Sequence, residues 1–281
     1  MVINFDNNSL NLINNMNISI KEQTNSIEKI SSGLKINRAS DDAANLSISQ
    51  KVKLQIRALH QYSKNIQDGI SLVDSVEGVL GEMTSLIHSL KESVIEFHND
   101  ANSEEEKLII EKHTDEILNT IDSLAKNYSY NGMKLLCGDP TYGTIINIKI
   151  GDNRHDLLEI WNYNYELDNL GSEEFYIFDK TSSFEWVNDV HMDINFTRSD
   201  YGAIRNRLTW ALEGVNHSKE LLQAYVSKIE DSNIATQMLK FTKNKLKIHT
   251  STKILNSLHK PKEQFIELLK NNDNSNKMIY S

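Results

Sequence analysis

The segment ISQKVKLQIRALHQYSKNIQDGISLVDSVEGVLGEMTSLIHSLKESVIEF, residues 48–97, decides the fold of this chain. Its apolar side chains recur at every third or fourth position, which places them on one stripe of an α-helix. A helix of about 50 residues is about 75 Å long, and few compact globular domains hold an element of that length. The segment therefore predicts either one long amphipathic helix in a bundle or a building block of an elongated assembly. The stripe consists of Ile48, Val52, Ile56, Leu59, Tyr62, Ile66, Ile70, Val73, Val76, Leu80, Met83, Ile87, Leu90, Val94 and Phe97.

Both ends of the chain carry a seven-residue repeat in which only one of the two rows is apolar. A stable coiled coil needs both rows to be apolar, and each polar residue in the contact line lowers stability while fixing the register. We therefore expect the two ends to pair with each other and to become ordered only when subunits pack together, since neither end alone buries enough apolar surface. The first segment by itself equally fits a partly buried helix of an ordinary bundle. The apolar rows are Ile13, Ile20, Ile27 and Leu34 at the beginning, and Phe241, Ile248 and Leu255 at the end.

Several local signals mark where the helices begin and end. Gly33 is a natural C-cap for the first helix, and Ser40, Asp41 and Asp42 are N-cap candidates for the long one. Residues 103–106, SEEE, form a capping box that begins a third helix. Ile110, Ile117, Ile121, Leu124 and Tyr128 share one face of that helix.

A turn and a change of period follow the third helix. Asn131-Gly132 indicates a tight turn. Between about 141 and 200, apolar and polar residues alternate in three runs, at 146–150, 161–165 and 190–196. Alternation is typical of half-buried strands, so these runs predict a small β-rich insert.

Composition and motifs exclude several functional classes. The net charge is −9, but residues 232–281 carry nine lysines against three acids, which is +6. A basic arm fits nucleic-acid binding, but these lysines alternate with apolar positions of a helical pattern and fit a solvated or partner-facing helix better. No apolar run is long enough to span a membrane, and no cleavable signal peptide is visible. We find no phosphate-binding loop, metal-ligand cluster or nucleophile motif, and therefore predict a protein without enzymatic activity or cofactor.

Three stretches resemble the bacterial flagellins. SSGLKINRASDDAANLSIS (31–49), followed by NIQDGISLVDSVEGVLGEM (65–83), resembles the N-terminal signature of that family. YNGMKLL (130–136) is similar to the turn that closes the family's N-terminal helical region. GAIRNRL (202–208) and SKIEDSNIATQM (227–238) match the C-terminal signature. These motifs are long and specific, and they occur in the family's order.

The resemblance implies a mainly α fold, an elongated antiparallel helical bundle and coiled-coil rod with paired termini and a small β-hairpin insert. Residues 1–40 and 235–281 would form the terminal coiled coil of the inner layer of a filament. Residues 41–140 and 200–234 would form the helical rod around it, and 141–199 the β-rich insert.

The implied function is that of a structural subunit, which polymerises into the flagellar filament for swimming. Family members leave the cell unfolded through the flagellar type III export system and remain extracellular. The partners would be further flagellin subunits, an export chaperone, and cap and hook-associated proteins, without nucleic acid or membrane insertion. The alternative is a hook–filament junction-like or minor flagellin paralogue, which binds flagellar partners without forming bulk filament. Ala43 stands where the junction protein usually has proline, which favours the filament subunit.

Two departures from the family's pattern carry expectations of their own. Many flagellins display an arginine-rich patch, which a Toll-like receptor recognises. The matching positions here are Ser89, Lys91, Glu92 and Ser93. Replacing arginine by serine removes a bidentate hydrogen-bonding group, so we predict weak or absent receptor activation in a reporter-cell assay. The eleven residues of 271–281 extend past the point where family chains tend to stop.

Overall fold

The computed structural model describes residues 2–137, 145–170, 175 and 177–279, with side chains described from residue 9 to residue 257 of those ranges. Five helices and four short strands follow one another in these ranges. The order is α1 (Val2–Ser32), α2 (Ala43–Phe97), α3 (Glu104–Asn127), β1 (Ser129–Tyr130), β2 (Met133–Lys134), β3 (Ile145–Lys149), β4 (Leu157–Trp161), α4 (Lys180–Glu230) and α5 (Ile234–Ile279). The mainly α fold with a small β-hairpin insert, predicted from the sequence, is confirmed.

The helix boundaries are set by the capping residues. Gly33 has a φ of 73°, and its backbone N–H donates to the Lys29 carbonyl at 3.1 Å, which ends α1. The Asp42 carboxylate accepts from the backbone N–H of Asn45 at 3.0 Å and caps the start of α2. These hydrogen bonds to Asn45 also lower the pKa of the Asp42 carboxyl. Local side-chain chemistry therefore separates α1 from the 55-residue α2.

The capping box predicted at the start of α3 is confirmed. The Ser103 side chain accepts from the Glu106 backbone N–H, and the Glu106 side chain accepts from the Ser103 backbone N–H. Ile110, Ile117 and Ile121 are buried on one face of this helix, which is the face that the three-to-four spacing predicts.

Two antiparallel hairpins follow α3. Asn131 and Gly132, both with positive φ (51° and 81°), form the predicted turn between β1 and β2. Positive φ at both central residues is the geometry that Asn-Gly adopts most easily. In the second hairpin, Ile146 pairs with Ile160 and Ile148 with Leu158.

The hairpin of β3 and β4 lies against α2 at a glycine. A Cβ atom added at Gly69 would overlap Cδ1 of Ile148 and would touch Leu208 of α4 at 3.5 Å. A glycine in mid-helix costs up to about 1 kcal/mol relative to alanine. Here it makes room for a strand.

Two of the three predicted strands are wrong in whole or in part. Of the run 161–165, only the first residue belongs to a strand, as the last residue of β4. The run 190–196 lies inside α4. On a helix, residues four apart share a face. Val190 and Ile194 therefore point into the core, with exposures of 3% and 0%, while Met192 and Phe196 are 67% and 70% exposed. The alternation of apolar and polar residues in 190–196 therefore comes from two apolar faces of one helix.

The backbone separates into two compact units. One comprises residues up to Lys53 and from Gln223 onward, and the other comprises Leu54–Leu222. The second unit contains an extended core in which α2, α3 and α4 pack on one another and on both hairpins. The domain boundaries predicted from the sequence, at 40/41 and 234/235, remain predictions. The largest fully buried side chains of this core include Ile66, Leu80, Met83, Leu90, Ile121, Ile194 and Tyr201.

Ion pairs hold α2 and α4 together along this unit. Asp74 and Arg205 approach to 2.5 Å, and Glu77 and Arg198 to 4.0 Å. Both pairs are partly exposed, so each contributes at most about 1 kcal/mol. They fix the antiparallel register of the two helices, whereas the apolar core supplies most of the stability.

Candidate assembly surfaces

Half of the side chains in the contact line between α1 and α5 of the first unit are polar. Ser19 and Ser26 of α1 and Asn244 of α5 are buried, with exposures of 6%, 4% and 4%. The half-buried positions that continue this line follow the three-to-four spacing of a coiled coil. They are Leu12, Met16, Gln23 and Ile30 in α1, and Gln237, Phe241, Ile248, Ser251 and Leu255 in α5.

The predicted α1 row lies beside this contact line and not in it. Ile13, Ile20 and Ile27 are 38%, 42% and 50% exposed, and Leu10 is 57% exposed. Helix α1 therefore presents two apolar faces, of which only one meets α5. The residues of α1 that face α5 are one position before Ile13, Ile20 and Ile27, and the role of these three as filament or coiled-coil interface residues stays a prediction.

The remaining predicted interface residues divide between two environments. Phe241, Ile248 and Leu255 are half-buried on the face of α5 that meets α1. Leu34 lies beyond the end of α1, half-buried, and forms a β-bridge with Asp231. Elsewhere on α5, Leu239 and Leu246 are 73% and 63% exposed. They line an open groove next to Ile18 of α1.

A second junction joins the segment after α1 to the segment before α5. The Lys35 backbone N–H donates to the Glu230 carbonyl at 2.5 Å, and the Ser232 N–H donates to the Gly33 carbonyl at 2.8 Å. The two sequence signatures, 31–49 and 227–238, are therefore hydrogen-bonded to each other.

A buried carboxylate strengthens this junction. Glu230 is 4% exposed, and Lys53 of α2 donates to it at 2.5 Å. Burial raises the pKa of Glu230, but hydrogen bonds from Lys53 and Ser49 and the charge of Lys53 outweigh burial and hold the pKa below its ordinary value. Our sequence reasoning missed this pair. The only sequence signal for this pair was the position of Glu230, an acidic residue at the end of a helix within the motif 227–238.

The comparisons with known proteins identify the family. Residues 3–141 match the bacterial flagellin N-terminal helical region, and residues 184–269 match the bacterial flagellin C-terminal helical region. A flagellin from Halalkalibacterium halodurans is 32% identical over 277 residues, which cover 96% of this chain and all of the relative. The chain belongs to the flagellin family.

A further relative agrees with this assignment, and a solved structure shares the fold. The flagellar filament 30.7 kDa core protein of Treponema maltophilum is 30% identical over 284 residues, covering 96% of this chain and all of that protein. A solved structure from Vibrio parahaemolyticus, provisionally described as a flagellar hook-associated protein, has a TM-score of 0.59 at 13% identity. It matches 68% of this chain and all of its own length, and shows the shared fold alone. Flagellins are structural proteins, so the chain is not assigned an enzymatic role.

The positions that match the receptor patch of other flagellins differ in accessibility. Ser89 and Glu92 are exposed on α2, whereas Ser93 is buried. Lys91 is half-buried, and its ammonium group donates to the Asn188 side chain at 2.9 Å. Two of the four positions are therefore engaged within the subunit. Weak receptor activation remains a prediction.

The described part of the chain contains no cluster of three or more histidine, cysteine, aspartate or glutamate residues that could hold a metal ion. Among the described helices, none is sufficiently long and apolar to cross a membrane. Cys137 is buried and is not in a disulfide. The side chains of the C-terminal segment 271–281 lie outside the described residues.

Proposed function

We propose that this chain is the repeating structural subunit of a flagellar filament. The observation that carries the proposal is the second apolar face of α1. Leu10, Ile13, Ile20 and Ile27 are between 38% and 57% exposed on a helix whose own contact line with α5 is half polar. A face of this kind leaves large aliphatic side chains in water, and packing against neighbouring copies would remove them.

The proposal includes the route by which the subunit reaches the filament. The chain is exported unfolded through the flagellar type III system, bound beforehand by a cytoplasmic chaperone, and assembles outside the cell under a cap protein. Hook-associated proteins are its neighbours at the base of the filament. The contact line between α1 and α5, in which half of the side chains are polar, supports this route, because such helices separate at low cost.

A seeded elongation assay tests the proposal. Purified protein is incubated with short filament fragments from cells that make this chain, and filament length is followed by electron microscopy. We expect growth at the fragment ends. A monomer that adds to no seeds contradicts filament function and favours the junction-like alternative.

A single substitution links elongation to the α1 face. Ile20→Lys places a charge on that face and is expected to reduce the elongation rate at least about tenfold, because burying an unpaired ammonium group is costly. The folded monomer should retain its helix content, since Ile20 is exposed there. Asn14→Lys adds the same charge at an exposed polar position and should elongate like the wild type. Equal elongation of both variants would remove α1 from the interface.

A further inference from the structure

Helix α4 carries a second apolar stripe that the subunit itself does not cover. Trp210 is 69% exposed and Leu221 is 58% exposed, as are Met192 and Phe196 at 67% and 70%. At about 100° per residue, these four side chains lie within about 40° of one another around the helix axis. The core-facing positions, such as Leu208, lie on a different side of the helix. The stripe extends along α4 within the Leu54–Leu222 unit.

The charge of this stripe is positive around Trp210. Arg207 lies beside it, one turn before Trp210, and is exposed. The Met192 end carries Glu185 and Asp189 on or beside the centre line, but between residues 201 and 221 the stripe contains no carboxylate within about 60° of that line, because Glu213 and Glu220 project to the side. The surface that covers it should therefore be apolar and acidic.

Helix α3 offers such a surface on the same unit. Leu108 and Ile109 are 56% and 68% exposed on the side of α3 that faces away from the core. Glu105 and Glu116 lie on the same side as Ile109, one turn before it and two turns after it, and both are exposed; with Lys112 at the edge of this face, its net charge remains negative. No ion pair within the described residues involves either glutamate or Arg207.

The two surfaces are different patches of one chain, which constrains how copies can associate. A contact between two different patches is heterologous, and repeating it produces a ring or an open helical polymer. A pair of identical patches would produce a closed dimer. A positive apolar stripe and an acidic apolar face therefore form the kind of pair that an open polymer of one subunit requires.

We infer that the α4 stripe of one subunit, centred on Trp210 with Arg207 beside it, docks on the outer face of α3, around Ile109 and Glu116, of a neighbouring subunit. The inference rests on the proposed filament function and names the surfaces that carry one of its contacts. Trp210 is the apolar anchor of the interface, and the Arg207–Glu116 pair selects the partner surface.

The first test removes the anchor. Trp210→Ala is expected to slow seeded elongation by about tenfold, because a buried tryptophan at an interface centre is a frequent hot spot. The monomer should keep its circular dichroism spectrum and melting temperature, since the indole is exposed there. Elongation at the wild-type rate would overturn the inference.

The second test uses charge reversal in a cycle. Arg207→Glu alone and Glu116→Lys alone should each slow elongation several-fold, whereas the double variant should recover most of the wild-type rate. Arg154→Glu, in the exposed loop between β3 and β4, is the charge-matched control and should elongate normally.

The outcomes separate this inference from the proposed function. If the wild type elongates and the double variant is as slow as the product of the two single effects, the α4–α3 contact is wrong and the filament function stands. If the wild type adds to no seeds under any condition, both the filament function and this contact are overturned.

Discussion

At the scale of single residues, the junction between the two signature segments depends on Glu230. Its carboxylate is buried, and the ammonium group of Lys53 lies 2.5 Å away. The Lys53 side chain remains 35% exposed. The burial of this ion pair is therefore intermediate between that of a surface pair and that of a fully buried pair. Removing one partner of such a pair leaves the other charge buried and uncompensated.

Lys53→Ala should therefore lower the free energy of unfolding by about 2 kcal/mol at pH 7. The folded pKa of Glu230 lies below its ordinary value. Its contribution to stability is thus present above the unfolded pKa of about 4.3 and is lost as the pH falls through the folded pKa. The effect of the substitution should consequently shrink below about pH 4.

Urea denaturation at pH 7 and at pH 3.5 measures this difference. Lys51→Ala, at an exposed position two residues earlier, is the control and should change stability little at either pH. A loss of stability in Lys53→Ala that is equal at both pH values would show that the lysine acts by packing and not by its charge.

At the scale of elements, two glycines of α2 distinguish the effect of helix propensity from the effect of packing against a neighbouring element. Gly69 faces Ile148 of β3, whereas a Cβ atom at Gly78 would meet nothing within 4 Å. Both glycines lie inside α2. They differ because the β3–β4 hairpin packs against α2 at Gly69 and not at Gly78.

Gly78→Ala should stabilise the protein by about 0.5–1 kcal/mol through helix propensity. Gly69→Ala should be less stable than Gly78→Ala by about 1–2 kcal/mol, because its methyl group overlaps Cδ1 of Ile148. Thermal unfolding compares the two variants.

Ile148→Val provides the rescue, since valine lacks the atom that overlaps. Adding it to Gly69→Ala should restore part of the stability, whereas adding it to Gly78→Ala should only cost the lost methyl group. Equal effects of Ile148→Val in both backgrounds would show that the strand does not press on α2 at Gly69.

The sequence predicted the helices better than the strands, for a physical reason. The core positions of α3, such as Ile110 and Ile117, keep a spacing of three or four residues along the whole helix, which produces an unambiguous helical period. The run 190–196 has apolar residues on two faces of α4, one in the core and one exposed. Together they produce the alternating pattern that is typical of a strand. In α1, the line that meets α5 includes Ser19 and Ser26, and a pattern of apolar residues alone does not indicate such a line.

At the scale of the whole molecule, the two units differ in the contacts that stabilise each of them internally. The Leu54–Leu222 unit buries a continuous apolar core, whereas buried serine and asparagine side chains contribute to the pairing of α1 with α5. We therefore expect the unit that contains α1 to open at low free energy in the monomer and to be stabilised by contacts with other copies.

Amide hydrogen exchange, measured on the monomer and on the assembled polymer, tests this account most directly. In the monomer, we expect the amides of residues 12–30 to exchange much faster than those of residues 66–90, because only the second group lies in the apolar core. In the polymer, we expect residues 12–30 to become as strongly protected as residues 66–90. Equal protection of both groups in the monomer, or unchanged exchange of residues 12–30 after assembly, would contradict the account.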